Sequence, residues 1–222
     1  MRTSITLPLI QRREIPTQFK NDDNRFSDSL VEFFLENYTQ KGDMVLDIFA
    51  GLGTTFFVAE EMGRVPYGIE YVEERYLYIK EHIKNKDNII HGDALKLQDY
   101  KLPKCDFCIA SPVYMNKDDT ENPYTACETE GNYEQYLEDT QKIYSNIKEI
   151  MKPDSYIVIE VSNLKRDGEV TTLAWDIGKK VSEVLNFEGE IIINWISEDL
   201  EKEAGVYNYG YDHSYCLVFR NK

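Results

Sequence analysis

Three features of this 222-residue chain predict an α/β fold built on a doubly wound, mostly parallel sheet. From residue 44 onward, short runs rich in Val, Ile and Phe alternate with longer segments of helical periodicity. The first run ends in a glycine turn that opens a helix. Acidic residues stand at the ends of three successive runs, at Asp47, Glu70 and Asp93. Length and a 42% hydrophobic content suit a single domain over 1–222, with 1–24 as an N-terminal arm.

Strands are expected at 44–49, 65–70, 88–92, 107–111, 156–161, 191–196 and 214–219. Helices are expected at 28–39, 54–62, 72–84, 132–151 and 170–185. Ser27 precedes the first helix, where its hydroxyl can accept a bond from an unpaired first-turn amide. Pro153 with Asp154 closes the long fourth helix. In the fifth, "LAWDIGKKVSEVL" reads as amphipathic with Trp175 packed on the core. Cys105 and Cys108 lie three apart on a strand, so they leave on opposite faces and read as buried structural thiols. Residues 115–132 are polar and without period, and they follow directly on a Ser-Pro turn; a lid or active-site loop belongs there.

The formal charge of -15 argues against nonspecific coating of nucleic acid, which needs Lys and Arg in excess. The basic pairs Arg12-Arg13, Lys165-Arg166 and Lys179-Lys180 read as solvated surface. The chain has no apolar run of membrane-spanning length, and "MRTSITLPLIQRREIP" is too broken for a signal peptide, so a cytoplasmic protein is expected.

The sequence "VLDIFAGLGTT" is an apolar strand, a Gly51-Leu52-Gly53 turn and a helix start at Thr54. Glycines there let the backbone approach a ligand, and the helix offers its free amides. Glu70 and Asp93 end the next two strands, where carboxylates face the ligand crevice of a doubly wound sheet. One can accept from ribose hydroxyls and another from an adenine amino group. The turn is neither the G-x-G-x-x-G of a dinucleotide site nor a P-loop with its lysine.

The stretch "LDIFAGLGTTFFVAEEMGRVPYGIE" resembles the cofactor motif of the S-adenosylmethionine-dependent amino-methyltransferases, D-x-F-x-G-x-G followed by an acid at the next strand end. The resemblance implies a Rossmann-like methyltransferase with a seven-stranded sheet and an antiparallel last strand, for which "YGYDHSYCLVFRNK" stands. It further implies that Asp47, Phe49, Gly51 and Gly53 wrap the methionine end of S-adenosylmethionine, with Ala50 and Thr54 alongside. Glu70 would hold the ribose, and Asp93 with Ala94 would lie near the adenine. Phe26 and Ser27, in a looser match to the preceding helix, join the cofactor site. No metal is implied, and His213 is read as structural.

The same family ends its fourth strand in Asp, Asn or Ser, then Pro-Pro, then Tyr or Phe. "SPVY" matches at Ser111, Pro112 and Tyr114 and departs at Val113. An exocyclic amino group is a poor nucleophile because its lone pair is delocalised into the ring. On the resemblance, the Ser111 hydroxyl and the Pro112 carbonyl accept its hydrogens, and Tyr114 stacks on the ring. Asn116 and Tyr124 are expected on the substrate side. Serine at the first position implies cytosine N-4 in DNA as the acceptor, the base leaving the stack to reach it. Aspartate there is usual for adenine, and asparagine for guanine in RNA or glutamine side chains. DNA is the expected partner, with target recognition from a further subunit or a homodimer. Adenine, RNA and protein-amide methylation stay open as alternatives, as does a noncatalytic cofactor-binding subunit.

Overall fold

The computed structural model describes residues 2–14, 16–22, 25–196 and 209–222. Parts of the expected arm, at 1, 15, 23 and 24, lie outside them.

Strands β2 (Met44–Asp47), β3 (Val65–Glu70), β4 (Ile89–His91), β5 (Cys105–Ala110) and β6 (Met151–Val161) form the parallel part of the sheet, with β4 at its edge. Strand β10 (His213–Arg220) runs antiparallel between β6 and β9 (Asn186–Ile196). Among the described residues the sheet has eight strands rather than the seven expected, in the order β1-β9-β10-β6-β5-β2-β3-β4. The added strand is β1 (Ser4–Pro8), an edge strand parallel to β9. Five residues of mixed polarity at an edge carry too little alternation to be read as a strand. A separate hairpin pairs β7 (Leu164–Arg166) with β8 (Glu169–Thr171).

Alternation along the strands splits the core into two layers. Leu46, Cys108, Ile157, Ile159 and Leu217 face helices α4 (Tyr133–Ile147) and α5 (Leu173–Ser182). Val45, Phe107, Ile109, Val158 and Val218 face α1 (Asp28–Tyr38) and α2 (Thr54–Glu61). Helix α3 (Glu73–His82) packs Ile79 against Phe56, Phe57 and Ile89. Among the described residues no helix is long and apolar enough to cross a membrane.

Four local expectations are corrected. A register irregularity between Cys105 and Phe107 turns Cys105 to the Cys108 side, so both thiols share one layer instead of opposite faces. They are buried, as expected. Helix α4 ends at Ile147, well before Pro153, which lies with Asp154 in β6 between the Met151 and Tyr156 pairings with β5. Ser27 sits at the α1 N-cap position but makes no cap bond; its hydroxyl accepts the Ile10 amide and donates to the Ile10 carbonyl, each at 2.8 Å. It ties the segment after β1 to α1 instead. Trp175 is 61% exposed, because the apolar stripe of α5 runs through Leu173, Ala174, Ile177 and Val181 and leaves position 175 outside it.

Candidate active site

From the edge strand β1 the chain crosses to β2, proceeds outward to β3 and β4, then crosses back to β5 and β6 on the other side of β2. The carboxyl ends of β2 and β5 therefore flank the point where strand order reverses, the place at which doubly wound sheets bind ligands. A cavity of about 680 Å³ opens there, within the size range of small-molecule sites.

One wall is the turn after β2. Gly51 and Gly53 have φ of 56° and 86°, a region that side chains disfavour. A Cβ on Gly53 would also stand 3.0 Å from both Ile79 and Phe57, so packing as well as conformation requires glycine. Asp47 braces the turn from beneath: Oδ1 accepts the Phe49 amide at 3.0 Å and Oδ2 accepts the Thr55 hydroxyl at 2.6 Å. Burial pushes the Asp47 carboxyl up to about 7, opposed by these two bonds and helped by the nearby Glu70 charge. Glu70, at the end of β3, accepts the Gly51 amide on Oε2 at 2.7 Å and the Val72 amide on Oε1 at 2.9 Å. Burial raises its proton affinity too. Asp93 caps the short helix that follows β4, accepting the Leu95 amide at 2.9 Å, and faces the same cavity.

The opposite wall is the turn after β5. Ser111 Oγ donates to Glu160 Oε2 at 2.9 Å, and Tyr114 donates to the same oxygen at 3.3 Å. Tyr114 Oη also accepts the Ser162 amide at 3.0 Å, and its ring lies 4.8 Å from that of Tyr209. The Val113 carbonyl accepts the Tyr136 hydroxyl at 2.9 Å, which fixes the turn at the position where the second proline is missing.

The loop 115–132 lies over this wall as a folded segment. Asn122 caps a single turn, Pro123–Thr125, and Glu121 bridges to Glu130. Tyr124 is stacked between Phe49 (5.8 Å) and Tyr136 (5.1 Å), with its hydroxyl on Thr140. Asn116 lines the cavity while its side chain accepts the Thr171 hydroxyl at 3.1 Å.

Of the residues singled out in the sequence, Phe26, Asp47, Phe49, Ala50, Gly51, Thr54, Glu70, Asp93 and Ala94 line one cavity with Ser111, Pro112, Tyr114, Asn116 and Tyr124. Ser27 and Gly53 stand behind the wall and do not line it. Sequence reasoning passed over Glu160. It is 2% exposed, is the last residue but one of β6, and its Oε1 has no well-formed hydrogen bond. The signal was a lone acid inside the apolar run "YIVIEV", where a charge is costly unless it acts.

This architecture is the Rossmann-like fold that solved methyltransferases share. Similar solved structures include TrmN from Thermus thermophilus (TM-score 0.59, 14% identity, 88% of this chain and 49% of that one). The N-methyltransferase NodS from Bradyrhizobium japonicum (0.56, 14%, 92% and 97%) is another. So is a TehB-like S-adenosylmethionine-dependent methyltransferase from Corynebacterium glutamicum (0.55, 13%, 92% and 93%). At these identities the likeness is one of fold. Residues 10–81 match the family described as DNA methylase, of the N6 and N4 type. A 64-residue stretch is 44% identical to the type II methyltransferase M.BamHI of Bacillus amyloliquefaciens. That match spans 29% of this chain and only 15% of the relative.

Proposed function

We propose that the chain transfers a methyl group from S-adenosylmethionine to an exocyclic amino group of a DNA base, with cytosine N-4 the favoured acceptor. The observation that carries this reading is the juxtaposition of the Gly51 turn and the Ser111-Pro112 turn across one cavity at the switch point of the sheet.

The residues on the first wall fit the cofactor. The glycine turn leaves open space at Gly51, whose Cβ would meet only one backbone oxygen at 3.8 Å, and Glu70 and Asp93 supply carboxylates to the cleft. Bound there, S-adenosylmethionine supplies an activated methyl group on its sulfonium. Asp47, Phe49, Ala50, Gly51 and Thr54 would hold its methionine end, Glu70 its ribose, and Asp93 with Ala94 its adenine end. Phe26 would close the pocket from the helix side.

On the second wall, Ser111 and the Pro112 carbonyl would accept the hydrogens of the acceptor amino group and hold its nitrogen toward the cofactor. Tyr114 would bear on the ring of the acceptor, and Asn116 and Tyr124 would border it. Serine at position 111 favours cytosine N-4 over adenine N-6, and the match to a DNA methylase family of both types supports a DNA base as the acceptor. The charge of -15 favours a further subunit, or a second copy, that brings the DNA.

The test is transfer of label from S-adenosylmethionine to unmethylated genomic DNA, total RNA and cell protein in parallel, with Ser111→Ala and Tyr114→Ala as controls. The reading requires label in DNA that both substitutions abolish, and N-4-methylcytosine on nucleoside analysis. Label confined to RNA or protein would move the acceptor class, and N-6-methyladenine would move the base.

A further inference from the structure

We infer that Glu160 is the positioning residue of the acceptor wall: it holds the Ser111 hydroxyl proton so that the Oγ lone pairs face the acceptor amino group, and it takes that proton during transfer. The inference rests on the amino-methylation proposed above and adds to it the route of the released proton.

The geometry states the need. A serine hydroxyl carries one proton, and an acceptor amino group offers hydrogens, so Ser111 must direct its own proton elsewhere to accept one. Its proton goes to Glu160 Oε2 at 2.9 Å. Tyr114, the other polar group of the turn, donates to the same oxygen. Oε1 of this buried carboxylate has no well-formed hydrogen bond, although the Ser214 hydroxyl stands close enough to favour its charged form. A group kept only for stability in this place would be neutral or fully bonded, since an incompletely bonded buried carboxylate is costly.

The surroundings match a proton acceptor. Glu160 faces Ser111 and Tyr114 from the β5 turn, and Ser214 and Cys216 from β10. The titratable members of that set, Tyr114 and Cys216, are both held protonated by burial, so no charged side chain balances the carboxylate. Burial accordingly raises its proton affinity, with the three hydroxyls opposing.

The step balances. As the bond from the acceptor nitrogen to the methyl carbon forms and the carbon–sulfur bond breaks, one N–H proton passes to Ser111 Oγ while the Ser111 proton passes to Glu160 Oε2. The positive charge of the sulfonium leaves as a proton on a neutral carboxyl, which returns it to solvent after product departs.

Two readouts test this. The first needs no turnover: infrared difference spectra across pH, with Glu160 identified by the band missing in Glu160→Gln. Its titration midpoint is expected above the ordinary glutamate value, and higher still in Ser111→Ala, which removes a bond to the charged form. An unmoved midpoint in Ser111→Ala overturns the coupling. The second is methyl transfer to genomic DNA at saturating cofactor. Glu160→Gln is expected to bind S-adenosylmethionine like the wild type, to leave KM for DNA unchanged, and to lower kcat about 100-fold or more. Its residual rate should lack the acid limb that wild-type kcat shows, and Glu160→Asp, still ionisable, should recover rate and limb in part. Wild-type kcat in Glu160→Gln overturns the inference. Intact infrared coupling in a wild-type protein that methylates none of DNA, RNA or protein would instead overturn the proposed function.

Discussion

Glu70 joins two turns that are far apart in sequence: one carboxylate oxygen accepts the Gly51 amide at 2.7 Å, and the other accepts the Val72 amide at 2.9 Å. The end of β3 thus sets the shape of the glycine turn after β2. Glu70→Gln keeps the length but offers one acceptor where two are used, leaving a buried amide facing a donor. The unmet amide costs about 1–3 kcal/mol, and affinity for S-adenosylmethionine should fall about tenfold or more. Isothermal titration of the variant decides this, and an unchanged dissociation constant would sink the role given to Glu70.

Asp47 predicts a pH dependence of stability. Its folded-state proton affinity is raised from 3.8 to about 7, so the native state binds the proton more tightly than the unfolded chain. The stabilisation is complete below the unfolded value and is lost as pH rises through about 7. A shift of this size corresponds to about 4 kcal/mol. Asp47→Asn removes the titration while one end of its amide still accepts from Phe49 and the other faces Thr55. Urea denaturation should therefore show the variant gaining on the wild type as pH rises between about 4 and about 7. Parallel stability curves would contradict the assigned shift.

The sequence was most legible where several constraints agree. β3 was expected at 65–70 and spans Val65–Glu70, because its apolar run is bounded by a turn and by the acid that faces the cavity. The two walls of the site were legible as the motifs D-x-F-x-G-x-G and Ser-Pro-x-Tyr, whose residue types are dictated by backbone geometry and hydrogen bonding. What the sequence hid depends on contacts between distant segments. Ser27 reads as a helix cap until Ile10 comes to lie beside it. Cys105 reads as facing away from Cys108 until pairing with β6 introduces the irregularity. Glu160 has no local signature beyond its isolation, and only the fold brings it to Ser111, 49 positions away.

Two glycines make opposite predictions on substitution by alanine. Gly68 pairs with Asp47 in the sheet, and a Cβ there would stand 2.1 Å from the Asp47 carbonyl oxygen and 2.9 Å from the Phe56 ring. Backbone cannot yield as a side chain can, so Gly68→Ala should cost about 3 kcal/mol or more, or prevent folding. Gly178 lies within α5, where a Cβ would make ordinary contact with Leu217 at 3.6 Å. Gly178→Ala should stabilise the protein by roughly 0.5–1 kcal/mol through helix propensity. Thermal or urea unfolding of both variants checks the pair, and a destabilised Gly178→Ala would show that α5 is packed more tightly than these distances imply.

Tyr124 separates ring from hydroxyl. The ring is held between Phe49, on the wall of the glycine turn, and Tyr136 of α4, so it couples the loop 115–132 to both. The hydroxyl meets Thr140, but Thr140 also donates to the Tyr136 carbonyl at 2.7 Å and keeps a partner without it. Tyr124→Phe should therefore cost no more than about 1.5 kcal/mol and leave methyl transfer intact. Tyr124→Ala removes a buried aromatic and opens a void beside Phe49, at about 3–5 kcal/mol, and should weaken cofactor binding as the Phe49 ring loses its support. Denaturation together with cofactor titration distinguishes the two variants. A large loss of transfer in Tyr124→Phe, with stability preserved, would assign the hydroxyl a direct part in the reaction that its bond to Thr140 does not suggest.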